Sequence, residues 1–589
     1  MCGFVGGTDP DWQLDRALDT LVHRGPDAAG TLQQGPFQVG FRRLKIIDLQ
    51  DSANQPMRSS DGHSWIVFNG EIYGYQKVRQ ELEAHGHSFK TDSDTEVALT
   101  AYRQWGNAFV DHIDGMFAIA IWDDLSNSLT HWRDRPGIKP LYYFFDGARF
   151  AFASELKALQ ALVGAENLTI DETALYDFLS YRYIPTPKTM YRECRKLAPG
   201  HRLRFHPSGT RLEEPVAYWR LRVDPQPARA NADDAADEIK ALIETSVAEQ
   251  MVADVPLGFF LSGGIDSSVV VASAATIHSA NPSQPISTFA IGFDSDEVSE
   301  TPYARQIAQL FDSQHHERIL LADAAGDLMK SLKPWFDEPF ADESSMPTYL
   351  VAKTAREKVT VVLTGDGGDE VFGGYRTYPR FQKNARPPQA PRCLLNASGR
   401  LRGRLGTTHG LARLMKLLEL RFSDGPELWG LIMSGMATGE KAPLARQLGI
   451  PRDYDDWWFY RQHWRPELPP RTRLQFLDFH TFLPELVLTK VDRTTMAVSL
   501  EARVPLLAQR IIEFAFGLPE DVRFLGGELK GLLKHAYRDV LPPTILNRRK
   551  KGFGIPRHYL RGVAAGKPIQ AHILSSLFAG ERAATARIR

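Results

Sequence analysis

The 589-residue sequence predicts two mixed folds in tandem: an α+β layered domain, then a parallel-sheet α/β domain with a helical C-terminal part. Three observations carry this. Residues 1 to about 205 read mostly as short strands and turns with occasional helices. From about Asp234, short apolar strands alternate with helical segments, which is the pattern of a parallel sheet. After about Tyr375 the chain becomes largely helical and rich in Trp, Leu and Arg. A single core does not support this length, so two or three domains are expected.

In order, the β-rich segments of the first part are SWIVFNGEIYGY, GMFAIAIWDD, SLTHWRDR, LYYFFDGARFAFAS and HRLRFHPSGTRLEE. They carry aromatic and β-branched residues, and Gly, Asp and Asn punctuate them. YQKVRQELEAHG and DTEVALTAYRQWG read as helices. The stretch from about Pro215 to Asp233 is rich in Pro and Ala and has no periodicity, so it reads as a linker between domains spanning 1–214 and 234–589. A helix is expected from about Asp234, with Ile239, Leu242, Ile243, Val247 and Met251 on one face. Strands are then expected at Leu257 to Leu261, in ISTFAIGF, and at Val359 to Leu363. The segment from Lys383 to Gly410 reads as a mobile insertion.

Composition narrows the class. The formal net charge of −1 supplies no field to recruit nucleic acid or an acidic membrane. The three cysteines, Cys2, Cys194 and Cys393, are far apart and form no CxxC pair, which argues against a disulfide framework or zinc site and fits a cytoplasmic setting. No signal-peptide pattern precedes the domains, and no apolar run is long enough to span a membrane.

Two loops point to nucleotide chemistry. The strand ending at Leu261 runs into Ser262-Gly263-Gly264-Ile265-Asp266-Ser267-Ser268 and then a helix. Glycines allow close approach of a ligand, the serines supply hydroxyls, and the helix start offers unpaired N–H groups to an anion. About 100 residues on, Thr364-Gly365-Asp366-Gly367-Gly368-Asp369-Glu370 follows a second apolar strand. Neighbouring strands of one parallel sheet would bring Asp266 and Asp369 to the same carboxyl edge, where two carboxylates suit Mg²⁺ held together with phosphate oxygens. His315, His316 and Glu317 have the look of a metal cluster but read as the end of a helix-to-strand connection.

SGGIDS resembles the pyrophosphate loop of the N-type ATP pyrophosphatases. In the first part, Cys2, HRGPD (His23 to Asp27), FRRLKIIDL (Phe41 to Leu49), FNGEIY (Phe68 to Tyr73), TDSDTEV (Thr91 to Val97), RDRPGIKPLYY and ASELKAL together resemble the glutaminase of class II amidotransferases, an αββα sandwich of the N-terminal-nucleophile (Ntn) hydrolases. The chemistry agrees. A thiol with pKa near about 8.5 and an α-amine near about 8, joined on one residue once Met1 is removed, form a nucleophile with its own base. A working chain is thus expected to begin at Cys2. Asn69 and Gly70 offer donors to an oxyanion. The resemblance further implies Arg43 on the glutamine carboxylate, Asp94 with Glu71 at its amino end, and Ile47 in the same site.

The order of the two parts resembles the glutamine-hydrolysing asparagine synthetase family. KVDRTTMAVSLEARVPLL, GELKGLLKHA and RRKKGFGIP extend the likeness over nearly the whole chain. It implies that ammonia released at Cys2 passes through an internal channel to a second site. There ATP adenylates a carboxylate, L-aspartate in amino-acid biosynthesis, and AMP and pyrophosphate leave. It also implies ATP contacts from Leu261 to Ser268, Ile291, Thr364 and Gly365, a charge-stabilising role for Lys530, and a homodimer as one assembly. The run NRRKKGF reads either as a solvated loop or as a loop closing over phosphates.

Three departures bear on the acceptor. Asp366 replaces a Glu, withdrawing that carboxylate by roughly 1.5 Å. FDEPFADESSMPTY replaces a Thr-Thr-x-Arg pattern and supplies no cation, and its Asp342, Glu343, Ser344 and Ser345 suit a polyol. Ala508 stands where relatives carry Asp. Three readings follow: aspartate amidation, amidation of another carboxylate such as a uronic acid of a surface polysaccharide, and a cyclising or binding relative without glutaminase activity. Retention of Cys2, Arg43, Asn69 and Asp94 argues against the last.

Overall fold

The computed structural model describes residues 2–225, 231–280, 285–294, 299–321, 333–384, 425–434 and 438–548, with residues 423, 436, 570 and 573. The first half contains two antiparallel sheets. One has strand order Cys194–Lys196, Tyr142–Phe145, Phe150–Ala153, Gly3–Gly7, Phe37–Arg43, Ala28–Gln34. The other runs Arg211–Leu212, His201–His206, Ser128–Arg133, Asp114–Asp123, Ser64–Tyr73, Met57–Arg58.

Side-chain alternation makes this a four-layer sandwich. On Asp114–Asp123, Ala118, Ala120 and Trp122 join Phe4, Phe41, Val67 and Phe152 between the sheets. Phe117, Ile119 and Ile121 point the other way, with Val97 and Leu82 of helices Asp94–Trp105 and Tyr75–Ala84. On Gly3–Gly7, Phe4 faces the sheets, while Val5 packs with Leu18 and Leu159 of helices Leu14–Asp19 and Leu156–Val163. The αββα arrangement follows from that period of two.

The second half is built on a five-stranded parallel sheet, ordered Gln314–Leu320, Ser287–Phe293, Leu257–Phe260, Val361–Leu363, Glu501–Arg503. Its strands are fed by long helices. Ala232–Gln250 buries Ile239, Ile243 and Val247, and Asn231 caps it by accepting from the Asp233 N–H at 2.9 Å. Ile265–Ala280 buries Val269, Val270 and Val271. Among the described residues no helix is long and apolar enough to cross a membrane.

Several local expectations change. The stretch read as a linker opens with a strand, Val216–Ala217, paired to His201–Arg202, and Leu221 is buried in the core. The helix expected near Asp234 begins at Ala232. His315, His316 and Glu317 lie within the edge strand Gln314–Leu320, where Arg305 and His315 take up Glu317. Ala508 occupies the N-cap of helix Gln509–Phe516 and supplies no side-chain cap. The segment 383–410 lies outside the described residues beyond Asn384, as does NRRKKGF beyond Arg548.

The halves meet through buried charge. Arg24, fully buried, donates to Glu155 Oε1 at 2.8 Å and forks onto Asp492 at 2.8 and 2.9 Å. Arg493 extends the network to Glu155 and Asp337 at 2.9 and 3.1 Å. Removing either partner of such a pair leaves a buried charge uncompensated, at a cost of roughly 3–5 kcal/mol. The contact is therefore geometrically exacting and holds the two halves in one register.

Candidate active sites

Cys2 leads into the central strand Gly3–Gly7 and is buried at 8% exposure. Its N–H donates to Asn69 Oδ1 at 3.0 Å, and its carbonyl accepts from Arg24 Nε at 3.1 Å. Asn69 is fully buried on Ser64–Tyr73. With Oδ1 committed to Cys2, its Nδ2 has no partner among the described residues. A buried donor left unpaired costs about 1–3 kcal/mol, so such a group beside the Cys2 thiol is suited to an incoming oxyanion. Next to it Gly70 admits no side chain, because a Cβ there would lie 1.9 Å from the Met116 carbonyl oxygen. Burial pushes the Cys2 thiol above its ordinary value, against the Leu44 backbone and Arg43.

Arg43 ends the strand Phe37–Arg43 and organises the loop that follows. Its Nη1 donates to the Gln50 carbonyl at 2.9 Å and Asn54 Oδ1 at 2.8 Å. Nη2 donates to the carbonyls of Ile47 and Asp48 at 3.2 and 2.5 Å. All four terminal N–H groups are spent on that loop, so a glutamine carboxylate would have to take over some of these bonds. Asp94 opens helix Asp94–Trp105, and its Oδ2 accepts from the Ile72 N–H at 2.9 Å. Burial, reinforced by Glu501, pushes the Asp94 carboxyl up to about 6. Burial likewise raises Glu71, with Glu501 and Asp94 adding to it.

Glu501 and Arg503 come from the second half. Arg503 Nε donates to Glu501 Oε1 at 2.7 Å, and its Nη2 lies 3.6 Å from Glu71 Oε1. Glu71, Asp94 and Glu501 thus cluster near Arg503, with Lys139 also acting on Glu501, and burial raises two of the three carboxyl groups, so an incoming ammonium group would favour their anionic forms. Sequence reasoning assigned no role to Arg24, Glu501 or Arg503, although all three stand in motifs it quoted. What it lacked was the pairing across the two halves.

In the parallel sheet, Leu257–Phe260 and Val361–Leu363 are hydrogen-bonded neighbours. The chain adds strands first on one side of Leu257–Phe260 and then on the other. The loops 261–268 and 364–369 therefore meet where the strand order reverses, the place where open α/β sheets take ligands. A cavity of about 470 Å³ opens there. Leu261, Ser262, Asp266, Ser267, Ile291, Thr364 and Gly365 line it, together with Asp366 and Asp369. Gly263, Gly264 and Ser268 shape the turn without lining it; the Ser268 N–H donates to the Gly264 carbonyl at 3.0 Å.

Lys530 ties this edge together. Its Nζ bridges Asp266 Oδ2 and Asp369 Oδ1, the latter at 2.6 Å. Gly374 makes room for the bridge, since a Cβ there would sit 1.9 Å from Asp369 Oδ1 and 2.2 Å from Lys530 Cε. Asp266 Oδ1 is buried with no hydrogen-bond partner among the described residues, which leaves a carboxylate oxygen for a cation. No group of three or more His, Cys, Asp or Glu that could hold a metal occurs among the described residues. A divalent ion here would need phosphate oxygens to complete its shell, as Mg²⁺ sites commonly do. Arg548 donates to the Gly263 carbonyl at 3.0 Å, pairs with Glu300 and stacks 4.2 Å from the Tyr303 ring centre.

Asp342, Glu343, Ser344 and Thr348 line the same cavity, and Ser345 does not. Ser344 is partly self-satisfied, its Oγ donating to Asp342 Oδ2 at 2.8 Å. The expectation of a cation-poor acceptor segment holds for the segment and fails for the cavity, because Arg182 and Lys490 enter from elsewhere in the chain. Lys490 Nζ lies 3.6 Å from Asp366 Oδ1. Burial alone would lower its ammonium, but Asp366, Asp342 and Glu370 outweigh burial and raise it. Burial pushes Glu370 up to about 7, and Tyr375 Oη donates to it at 2.5 Å.

Residues 1–219 match the glutamine amidotransferase domain family and residues 238–586 the asparagine synthase family. The glutamine-hydrolyzing asparagine synthetase 1 of Bacillus subtilis (strain 168) is 34% identical over 577 residues, covering 95% of this chain and 88% of that one. Asparagine synthetase 3 of the same organism is 28% identical over 586 residues, covering 96% and 89%. Amidase chry2 of Gibberella zeae is 26% identical over 606 residues, covering 95% and 87%.

Proposed function

From the premise that this chain belongs to the asparagine synthase family, as a glutamine-dependent amidotransferase of that type, we propose that it transfers glutamine nitrogen from Cys2 to L-aspartate, with ATP cleaved to AMP and pyrophosphate. The observation that carries the first half is Asn69, whose carbonyl takes the Cys2 N–H and whose amide nitrogen has no partner among the described residues. The Cys2 thiolate attacks the glutamine side-chain carbonyl, the oxyanion settles on Asn69 Nδ2 and the Gly70 N–H, and collapse to a thioester expels ammonia. A free Cys2 α-amine takes the thiol proton and passes it to the leaving nitrogen. Water then releases glutamate.

Asp94 and Glu71 hold the glutamine ammonium, and this makes binding pH-dependent. A carboxyl raised to about 6 is neutral below that pH and anionic above it. The KM for glutamine is therefore expected to rise about tenfold between pH 7 and pH 5. Asp94→Asn should raise KM at neutral pH and flatten this dependence. A KM that stays level across the range in the parent enzyme would remove Asp94 from the ammonium site.

At the second site an acceptor carboxylate oxygen attacks the α-phosphorus of ATP, pyrophosphate leaves, and ammonia displaces AMP from the acyl-adenylate. Ser262 and Ser267 meet the phosphates, and Lys530 answers the charge that develops on them. Mg²⁺, held by Asp266 and Asp369 with phosphate oxygens, would neutralise the departing pyrophosphate. Aspartate is favoured over a uronic acid because cations enter the cavity and the Ser344 hydroxyl is already bonded to Asp342. AMP release measured with glutamine, ATP and either aspartate or a panel of hexuronates tests this, and stimulation by aspartate is expected. Stimulation by a hexuronate alone would transfer the mechanism to that acceptor.

A further inference from the structure

Arg182 belongs by sequence to the glutaminase half, yet it lines the cavity built on the parallel sheet. It is the C-cap of helix Glu172–Tyr181, whose buried face includes Leu175, Phe178 and Leu179. Its φ of 75° and ψ of 0° are left-handed, a conformation that helix ends normally give to glycine. A long charged side chain at such a position is retained against backbone preference, and residues in this condition cluster at ligand sites. The main chain locks it to the acceptor segment: the Ala341 N–H donates to the Arg182 carbonyl at 2.9 Å, and Arg182 Nε donates to the Ala341 carbonyl at 2.9 Å. With Nε so engaged, the fork of Nη1 and Nη2 makes no hydrogen bond among the described residues, and its one carboxylate neighbour there, Asp342, is 4.0 Å away.

The other cations at this site are committed. Lys530 is bridged between Asp266 and Asp369, and Lys490 lies beside Asp366. Arg182 alone of the three presents a planar pair of donors with nothing bonded to them among the described residues, a geometry that matches a carboxylate in bidentate fashion. We propose that Arg182 binds the non-reacting carboxylate of the acceptor and so selects a dicarboxylic amino acid over a sugar acid. A uronic acid spends its single carboxylate on adenylation and leaves this fork empty, whereas aspartate has a second. The inference rests on the reading above that this cavity holds the acceptor. It moves the cation missing from FDEPFADESSMPTY to a helix end on the other half of the chain.

The test uses the full-length enzyme and three variants, Arg182→Gln, Arg182→Lys and Arg182→Gly, with AMP release as the readout. For Arg182→Gln, the KM for aspartate should rise about 10- to 100-fold. The KM for ATP and the kcat/KM for glutamine hydrolysis should stay within about twofold. Arg182→Lys should recover part of the loss. Arg182→Gly separates binding from folding, because glycine suits the left-handed C-cap: its melting temperature should stay within about 3 °C of the parent while the aspartate KM still rises. A parent enzyme that responds to aspartate and an Arg182→Gln variant with unchanged aspartate KM would overturn the inference and leave the acceptor reading intact. A raised KM for ATP in place of aspartate would reassign Arg182 to the nucleotide. A parent enzyme that no dicarboxylic amino acid stimulates would overturn both.

Discussion

Cys2→Ala is expected to lower glutamine-dependent AMP formation by about 10³-fold or more while ammonia-dependent formation stays within about twofold. Without Sγ there is no thioester, and the Asn69 amide has no oxyanion to receive. The substitution removes one small buried group from a cluster containing Phe4, Phe41 and Phe152, so its stability cost is about 1 kcal/mol. The second site lies on a separate sheet with its own loops, and ammonia supplied in solution bypasses the first. The ammonia reaction is therefore also the folding control. Equal loss with both nitrogen sources would mean that one site serves both, and the two-site reading would fall.

Lys530→Ala should produce the reverse pattern: AMP formation falls about 10²- to 10³-fold with either nitrogen source, and glutamine hydrolysis persists. The ammonium is buried between Asp266 and Asp369, in a space that Gly374 keeps open. Its removal leaves Asp266 and Asp369 facing the triphosphate without the ammonium that bridges them. Lys530→Arg keeps the charge, but the crowding at Gly374 leaves no slack for a guanidinium, so it should restore little. Glutamine hydrolysis that fell in parallel would indicate a structural collapse rather than a lost catalytic charge. Persistence of AMP formation would assign the transition-state charge to another group.

Much of this protein is legible one residue at a time. The alternation in GMFAIAIWDD divides its side chains between two layers, and that division alone dictates a sheet buried on both faces. By residue type and spacing, the Asn69-Gly70 pair and the Ser262-to-Ser268 turn are legible as candidates for oxyanion and phosphate contacts. The local misreadings are instructive. Val216–Ala217 lacks any strand signal of its own and becomes a strand because His201–Arg202 offers an open edge. His315, His316 and Glu317, which look like a metal cluster and read as the end of a helix-to-strand connection, lie in the edge strand itself, where Arg305 pairs with Glu317.

The sequence alone determined the two layered architectures, through side-chain period and family motifs, and it marked Cys2 and the two glycine-acid loops as candidate sites through residue type and the backbone freedom of short motifs. Tertiary structure alone decided which charges meet. Arg24 finds Asp492, Glu71 finds Arg503, Lys530 closes Asp266 onto Asp369, and Arg182 reaches the acceptor segment, all across long sequence separations. Coulombic pairing depends on distance in space and on burial, and neither is written in the order of residues. A cation that seemed absent when FDEPFADESSMPTY was read as a string is present in the cavity, carried there by the end of a helix.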